Sequence, residues 1–133
     1  KPENFRELFV TFSDPEVIGM SAIAGLLEPV SRRDPYGLMV ELTPPHEART
    51  RLNVPFAPGI IGAIGIGAAK HMQPGVPVSL AFPAGTIALD GERELAFDQS
   101  DDVTITLVKD AFRTVNVSGI MNYASKQGLM KLN

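Results

Sequence analysis

Phe5 to Phe12 is rich in aromatic and β-branched residues, and Leu8, Val10 and Phe12 share one face at period two, so the pattern predicts a strand. Ser13-Asp14-Pro15-Glu16 then reads as a helix start, with an oxygen side chain for the cap, proline in the first turn and an acid beside the exposed amides. The predicted helix runs from about Pro15 to Leu27. Its apolar positions surround the axis and it holds Gly19, Ala22, Ala24 and Gly25, so it is expected to be buried and closely approached by another backbone. Glycine inside a helix costs about 1 kcal/mol relative to alanine, which implies a packing or ligand reason for it.

The loop Arg32 to Gly37 leads into a predicted strand at Leu38–Leu42, closed by Pro44-Pro45. Ala48 to Phe56 alternates as another strand. Gly59 to Ala69 is an almost unbroken apolar run with glycines at 59, 62, 65 and 67; it is too short to span a membrane and predicts a buried, bent strand. Beyond it the chain is punctuated like an antiparallel sheet: a turn at Gln73-Pro74-Gly75, a strand from Val76 to Phe82, and a turn at Pro83-Ala84-Gly85. Thr86–Leu89 and Arg93–Phe97 flank Asp90-Gly91-Glu92, a hairpin signal because Asp-Gly tolerates the positive φ of tight turns. Asp102 to Val108 alternates most regularly of all, Phe112 to Val117 reads as the last strand, and Ser118 is expected to cap a short final helix ending near Gly128. The expected fold is α+β and mainly β: one antiparallel sandwich-like domain over residues 1–133, with an early buried helix and a short C-terminal one.

Composition narrows the function classes. The chain has 133 residues, 44% hydrophobic and 20% charged, which excludes disorder and suits one domain with one core. Net charge is −3, from 12 basic and 15 acidic residues without a block of either sign, so no face for nucleic acid is expected. The absence of cysteine removes disulfides, thiolate zinc sites and a cysteine nucleophile, and fits a cytoplasmic location. No apolar run is long enough for a membrane span. Lys1 stands where an initiator methionine would, so a segment of a longer protein is expected.

Several partial motifs fail on inspection. Gly62 and Gly67 have the first spacing of a P-loop, but Ala68-Ala69 occupy the required lysine and hydroxyl positions. Gly65-Ile66-Gly67 begins a dinucleotide fingerprint that Lys70 breaks. Gly19-Met20-Ser21 lacks the second glycine of a nucleophile elbow, since Ile23 stands there. His46 and His71, 25 positions apart, have no close metal-ligand spacing, and His46 reads as exposed loop. No metal site and no catalytic residue is assigned. Asp90-Gly91-Glu92 is the most informative short segment. It is either a hairpin tip with two exposed acids or a turn that aims carboxylates at magnesium, a proton or a ribose hydroxyl.

Thr86 to Thr106, TIALDGERELAFDQSDDVTIT, resembles the carboxy-terminal sheet of the ATP-NAD kinase and acetoin-catabolism protein X family, most closely the acetoin-catabolism branch. Ser13 to Val30, SDPEVIGMSAIAGLLEPV, is similar to the family's threonine-glycine-serine-threonine-alanine-tyrosine segment: Gly19, Ser21 and Ala22 keep its pattern, while Met20 and Ile23 replace a serine and the tyrosine. The resemblance implies a two-part protein with an amino-terminal α/β domain carrying a glycine-glycine-aspartate-glycine phosphate motif, which is not in this sequence. It implies that Gly19, Ser21, Ala22, Asp90, Gly91 and Glu92 belong to a cleft for NAD or ATP with magnesium, completed by the missing α/β domain. The segment alone is then expected to be inactive, because phosphoryl transfer rests on positioning and electrostatics across a complete site.

Two alternatives stay open. One is a lipid-kinase-like domain of the diacylglycerol or sphingosine type, which also uses aspartate-glycine-glutamate. The other is a non-enzymatic β module for assembly. The apolar content predicts a homo-oligomer in either case.

Overall fold

A computed structural model of the chain describes residues 4–111 and 113–132. Among these the elements run β1 (Glu7–Val10), α1 (Ser21–Leu27), β2 (Gly37–Thr43), β3 (Thr50–Ala57), β4 (Ile60–Met72), β5 (Val78–Ser79), β6 (Gly85–Leu89), β7 (Arg93–Phe97), β8 (Thr104–Ile105) and α2 (Val117–Lys126). The fold is α+β and mainly β, as expected from the punctuation. Its strands pair antiparallel in three open sheets: β1-β2-β4-β3, β5-β8 and β6-β7. No helix among the described residues is long and apolar enough to cross a membrane.

β2 is the centre of the packing because its two faces meet different partners. Leu38, Val40 and Leu42 join Ala22, Ile23 and Ala24 of α1, with Val30, Val54, Ile64 and Ile66, in the main core. Met39, pointing the other way, packs with Met72 and Leu107 in a smaller cluster flanked by Phe9, Val78 and Ile105. The layers are therefore α1, the four-stranded sheet, and a thin cover formed by β5 and β8.

The glycine-rich run does form a bent strand, and two bulges bend it. Against β2, Glu41 pairs with Ala68 and Leu42 with Ile66, leaving Gly67 as the extra residue; against β3, Pro55 pairs with Ile61 and Ala57 with Ile60, leaving Phe56 extra. Burial falls at its middle and at its last residue, Met72. Ile64, Gly65 and Ile66 are buried, whereas Ile61 is 71% exposed because the β3–β4 hairpin projects beyond the helix that covers the sheet.

The early helix is buried as expected but starts at Ser21, not near Pro15. Asp14 takes the Glu16 amide at 2.8 Å across Pro15 instead of capping a helix, and Gly19, at φ 91°, turns the chain and donates its amide to the Pro55 carbonyl at 2.8 Å. Ser13 is no cap either. Its buried hydroxyl donates to the Glu28 carbonyl at 2.9 Å and accepts the Val30 amide at 2.8 Å, which closes the α1 loop at its base.

The long strands expected at 76–82 and 102–108 shrink to two paired residues each, Val78↔Ile105 and Ser79↔Thr104. Pro77 has no amide to give a ladder, and Leu107 bridges Pro74 instead, its carbonyl accepting the Gly75 amide at 3.0 Å. Arg113 to Asn116 form no strand, and Phe112 lies outside the described residues. Asn116, not Ser118, caps α2, its side chain accepting the Gly119 amide at 2.9 Å. Gly128, at φ 69°, ends that region where expected.

Candidate functional site

The turn sequence Asp90-Gly91-Glu92 folds as its residues require. Asp90 and Gly91 both take left-handed φ, 52° and 72°, and Glu92 donates its amide to the Leu89 carbonyl at 3.1 Å, the pattern of a tight hairpin turn of the primed kind. Five cross-strand pairs from Gly85↔Phe97 to Leu89↔Arg93 hold the arms. The next turn is also acidic. Asp98 accepts the Ser100 hydroxyl at 2.6 Å and the Ser100 amide at 2.8 Å, and these two bonds hold its carboxyl below the ordinary value for aspartate.

A cleft of about 600 Å³ opens between β1 and this hairpin. Phe5, Leu8, Phe82, Ile87, Phe97 and Ile105 are among the residues that line it, so its surface is mainly apolar, with Arg6 and Glu7 at the β1 side. The Glu7 carboxylate accepts the Ala81 amide at 3.2 Å and ties the two sides together. Volume and lining suit a small ligand. The cleft reaches Leu89 along β6, so Asp90, Gly91 and Glu92 stand just past its end.

The second candidate group lies elsewhere. Gly19 shapes the entry to α1, Ser21 is exposed on its first turn, and Ala22 is wholly buried in the main core. α1 covers the main-core face of the sheet, while the cleft runs along the edge strand β1 and reaches Met72 and Leu107 of the smaller cluster. The structure thus separates Gly19, Ser21 and Ala22 from Asp90, Gly91 and Glu92. Neither that cleft nor the pocket beside Pro44 and Pro45 is lined by Gly19, Ser21 or Ala22.

The structure also assembles a constellation the sequence did not signal. His71, at the end of β4, donates from Nε2 to Oε1 of Glu28 at 2.5 Å, and its ring stacks on Tyr36 with centroids 4.0 Å apart and planes 8° from parallel. The carboxylate on Nε2 fixes the position of the ring, and the stacked phenol fixes its plane. The arrangement can bind or move a proton at a half-exposed surface. Glu28 and His71 are 43 positions apart, so no local spacing could have revealed them. His46 is exposed, as expected, beside Glu47. No group of three or more potential metal ligands occurs among the described residues.

With this geometry in place, the chain can be compared with known proteins. The acetoin catabolism protein X C-terminal domain family matches residues 1–110. Acetoin catabolism protein X of Cupriavidus necator is 43% identical over 131 residues, covering 98% of this chain and 36% of that relative's length. No solved structure matches.

Proposed function

The chain belongs to the acetoin catabolism protein X C-terminal domain family, and from that premise we propose that it is the nucleotide-binding, carboxy-terminal half of an ATP-NAD kinase-like protein linked to acetoin catabolism. The observation that carries this reading is the cleft beside β6, which has the volume of a small-molecule site and ends at a rigid turn bearing Asp90 and Glu92. A hairpin in a fixed turn presents its carboxylates in one geometry, as hydrogen bonds to a ribose or a bound magnesium require.

In this reading NAD or ATP lies along β6. Gly19 and Ser21 meet the α/β domain from the α1 side, Ala22 supports them from the core, and the α/β domain supplies the phosphate cradle. The three sheets are then parts of a sandwich of the NAD kinase and diacylglycerol kinase type, and residues 1–133 are one domain of a cytoplasmic protein. The chain spans 36% of its relative's length, so catalysis belongs to the whole protein.

The apolar lining of the cleft favours a second reading, a lipid-kinase-like domain whose acceptor chain lies where the first reading puts the nucleotide base. Equilibrium binding separates the two. The full-length protein should bind ATP or NAD, and Glu92→Gln, an exposed swap that leaves folding intact, should weaken that binding about tenfold through the loss of a charged hydrogen-bond acceptor. The 133-residue chain alone should form no NADP from NAD and ATP. Unchanged nucleotide affinity in Glu92→Gln would remove the turn from the site. Saturable binding of a diacylglycerol without any of nucleotide would favour the second reading.

A further inference from the structure

A second pocket, of about 450 Å³, lies between the residues leading into β1 and the turn after β2; Gly62 of the apolar run lines it, and Gly65 lets its wall close on β4. A Cβ at Gly65 would stand 2.4 Å from the Thr43 carbonyl oxygen and 2.7 Å from the Ala48 Cβ, so only a bare Cα lets the 43–48 turn press against β4 as a wall. A Cβ at Gly62 would stand 2.7 Å from Cε2 of Phe56, the bulged residue of β3, so that glycine makes room for the ring across the strand. Pro44 and Pro45 stiffen the wall, and Leu42, Phe56 and Ile64 extend the main core to the pocket as an apolar floor.

Arg6 and His46 are the basic residues of the pocket's lining. Arg6 is held by its backbone, whose carbonyl accepts the Leu42 amide at 2.7 Å, yet its guanidinium makes no ion pair or hydrogen bond among the described residues. His46 faces the pocket from the turn, with Glu47 3.3 Å from its Nε2. One constant cation with a carboxylate nearby suits a single negative charge better than two, and the guanidinium fork matches a carboxylate bidentately.

We propose that this pocket binds a small monoanionic carboxylate with a short apolar body. The carboxylate pairs with Arg6 at the rim, and the body lies against Phe56 and Leu42. The site is separate from the nucleotide reading of the larger cleft, although Phe5 and Arg6 border both.

Amide chemical-shift titration of the ¹⁵N-labelled chain tests it, with benzoate as the probe, benzyl alcohol as the uncharged counterpart and inorganic phosphate as the competing anion. Benzoate should give saturable shifts at Gly62, Ala63 and Thr43, and benzyl alcohol should bind about tenfold more weakly. Arg6→Gln, an exposed change that leaves the fold intact by circular dichroism, should weaken benzoate about tenfold without altering benzyl alcohol. Benzoate shifts confined to β6, equal affinity in Arg6→Gln, phosphate bound as tightly as benzoate, or no saturable binding would each overturn the proposal.

Discussion

Gly25 sits in the middle of α1, where alanine would ordinarily favour the helix by about 1 kcal/mol. Here the preference reverses. A Cβ at Gly25 would stand 2.2 Å from the Asp14 carbonyl oxygen and 2.7 Å from the Pro15 nitrogen, both backbone atoms fixed by the Ser13 latch and the Asp14 turn. Gly25→Ala should therefore destabilise the chain by about 1–3 kcal/mol, read as a lowered midpoint in urea unfolding with an unchanged slope. A midpoint at or above that of the parent chain would mean that the loop moves aside at no cost. The sequence does indicate that some backbone approaches this helix, because several small residues occur together in an apolar segment. It does not say which backbone, since residues 14 and 25 come together only when Ser13 bridges to Glu28 and Val30. Glu28 and His71 pose the same problem over a longer separation.

At the scale of elements, the strands that kept their predicted extent have partners on both sides or a fixed turn at one end. β2 and β4 pair along their lengths, and β6 and β7 are set in register by Asp90-Gly91. The alternating segment at 102–108 has the stronger pattern but finds only two residues of partner strand. Alternation states that a segment can be half-buried; a ladder also needs donors and acceptors opposite it. α2 shows the converse case, a helix with no buried residue, held by its own backbone and the Asn116 cap. Asn116→Ala should cost that helix about 0.5–2 kcal/mol. Amide hydrogen exchange across Val117–Lys126 should accelerate accordingly while the protection of β2 and β4 stays unchanged. Equal protection of α2 before and after the change would show that tertiary contacts hold it instead.

Across the whole molecule, packing is uneven. Among the described residues, only Leu107 of the buried apolar ones lies beyond Met72, and the later half exposes Leu95, Val115, Val117, Ile120, Met121, Leu129 and Met130. Apolar surface of that extent is ordinarily covered by another surface. The 133-residue chain should accordingly self-associate, with a mass by light scattering above that of the monomer and rising with concentration. A clean monomer at high concentration would count against this. Charge adds a bias to any contact made by the end of the chain: after Asp110 it carries Arg113, Lys126 and Lys131 and no acid, against a net charge of −3 overall. Complementary acidic surface would be favoured there.

By itself the sequence determined what depends on neighbours along the chain. The mainly β character, the Asp90-Gly91 turn, the turn at Gln73-Pro74-Gly75, a buried early helix and a bent glycine-rich strand follow from local dihedral preferences and short-range periodicity, and the family resemblance rests on contiguous stretches of the same kind. Tertiary structure alone decided what depends on distant residues meeting. It set the start of α1, because Ser13 spends its hydroxyl on Glu28 and Val30 rather than on a helix amide. It joined Glu28 to His71, and it left the α1 candidates outside the cleft that ends beside the hairpin candidates. It also gave Gly62 and Gly65 their reason, since a missing Cβ matters only against an atom that the fold brings opposite it.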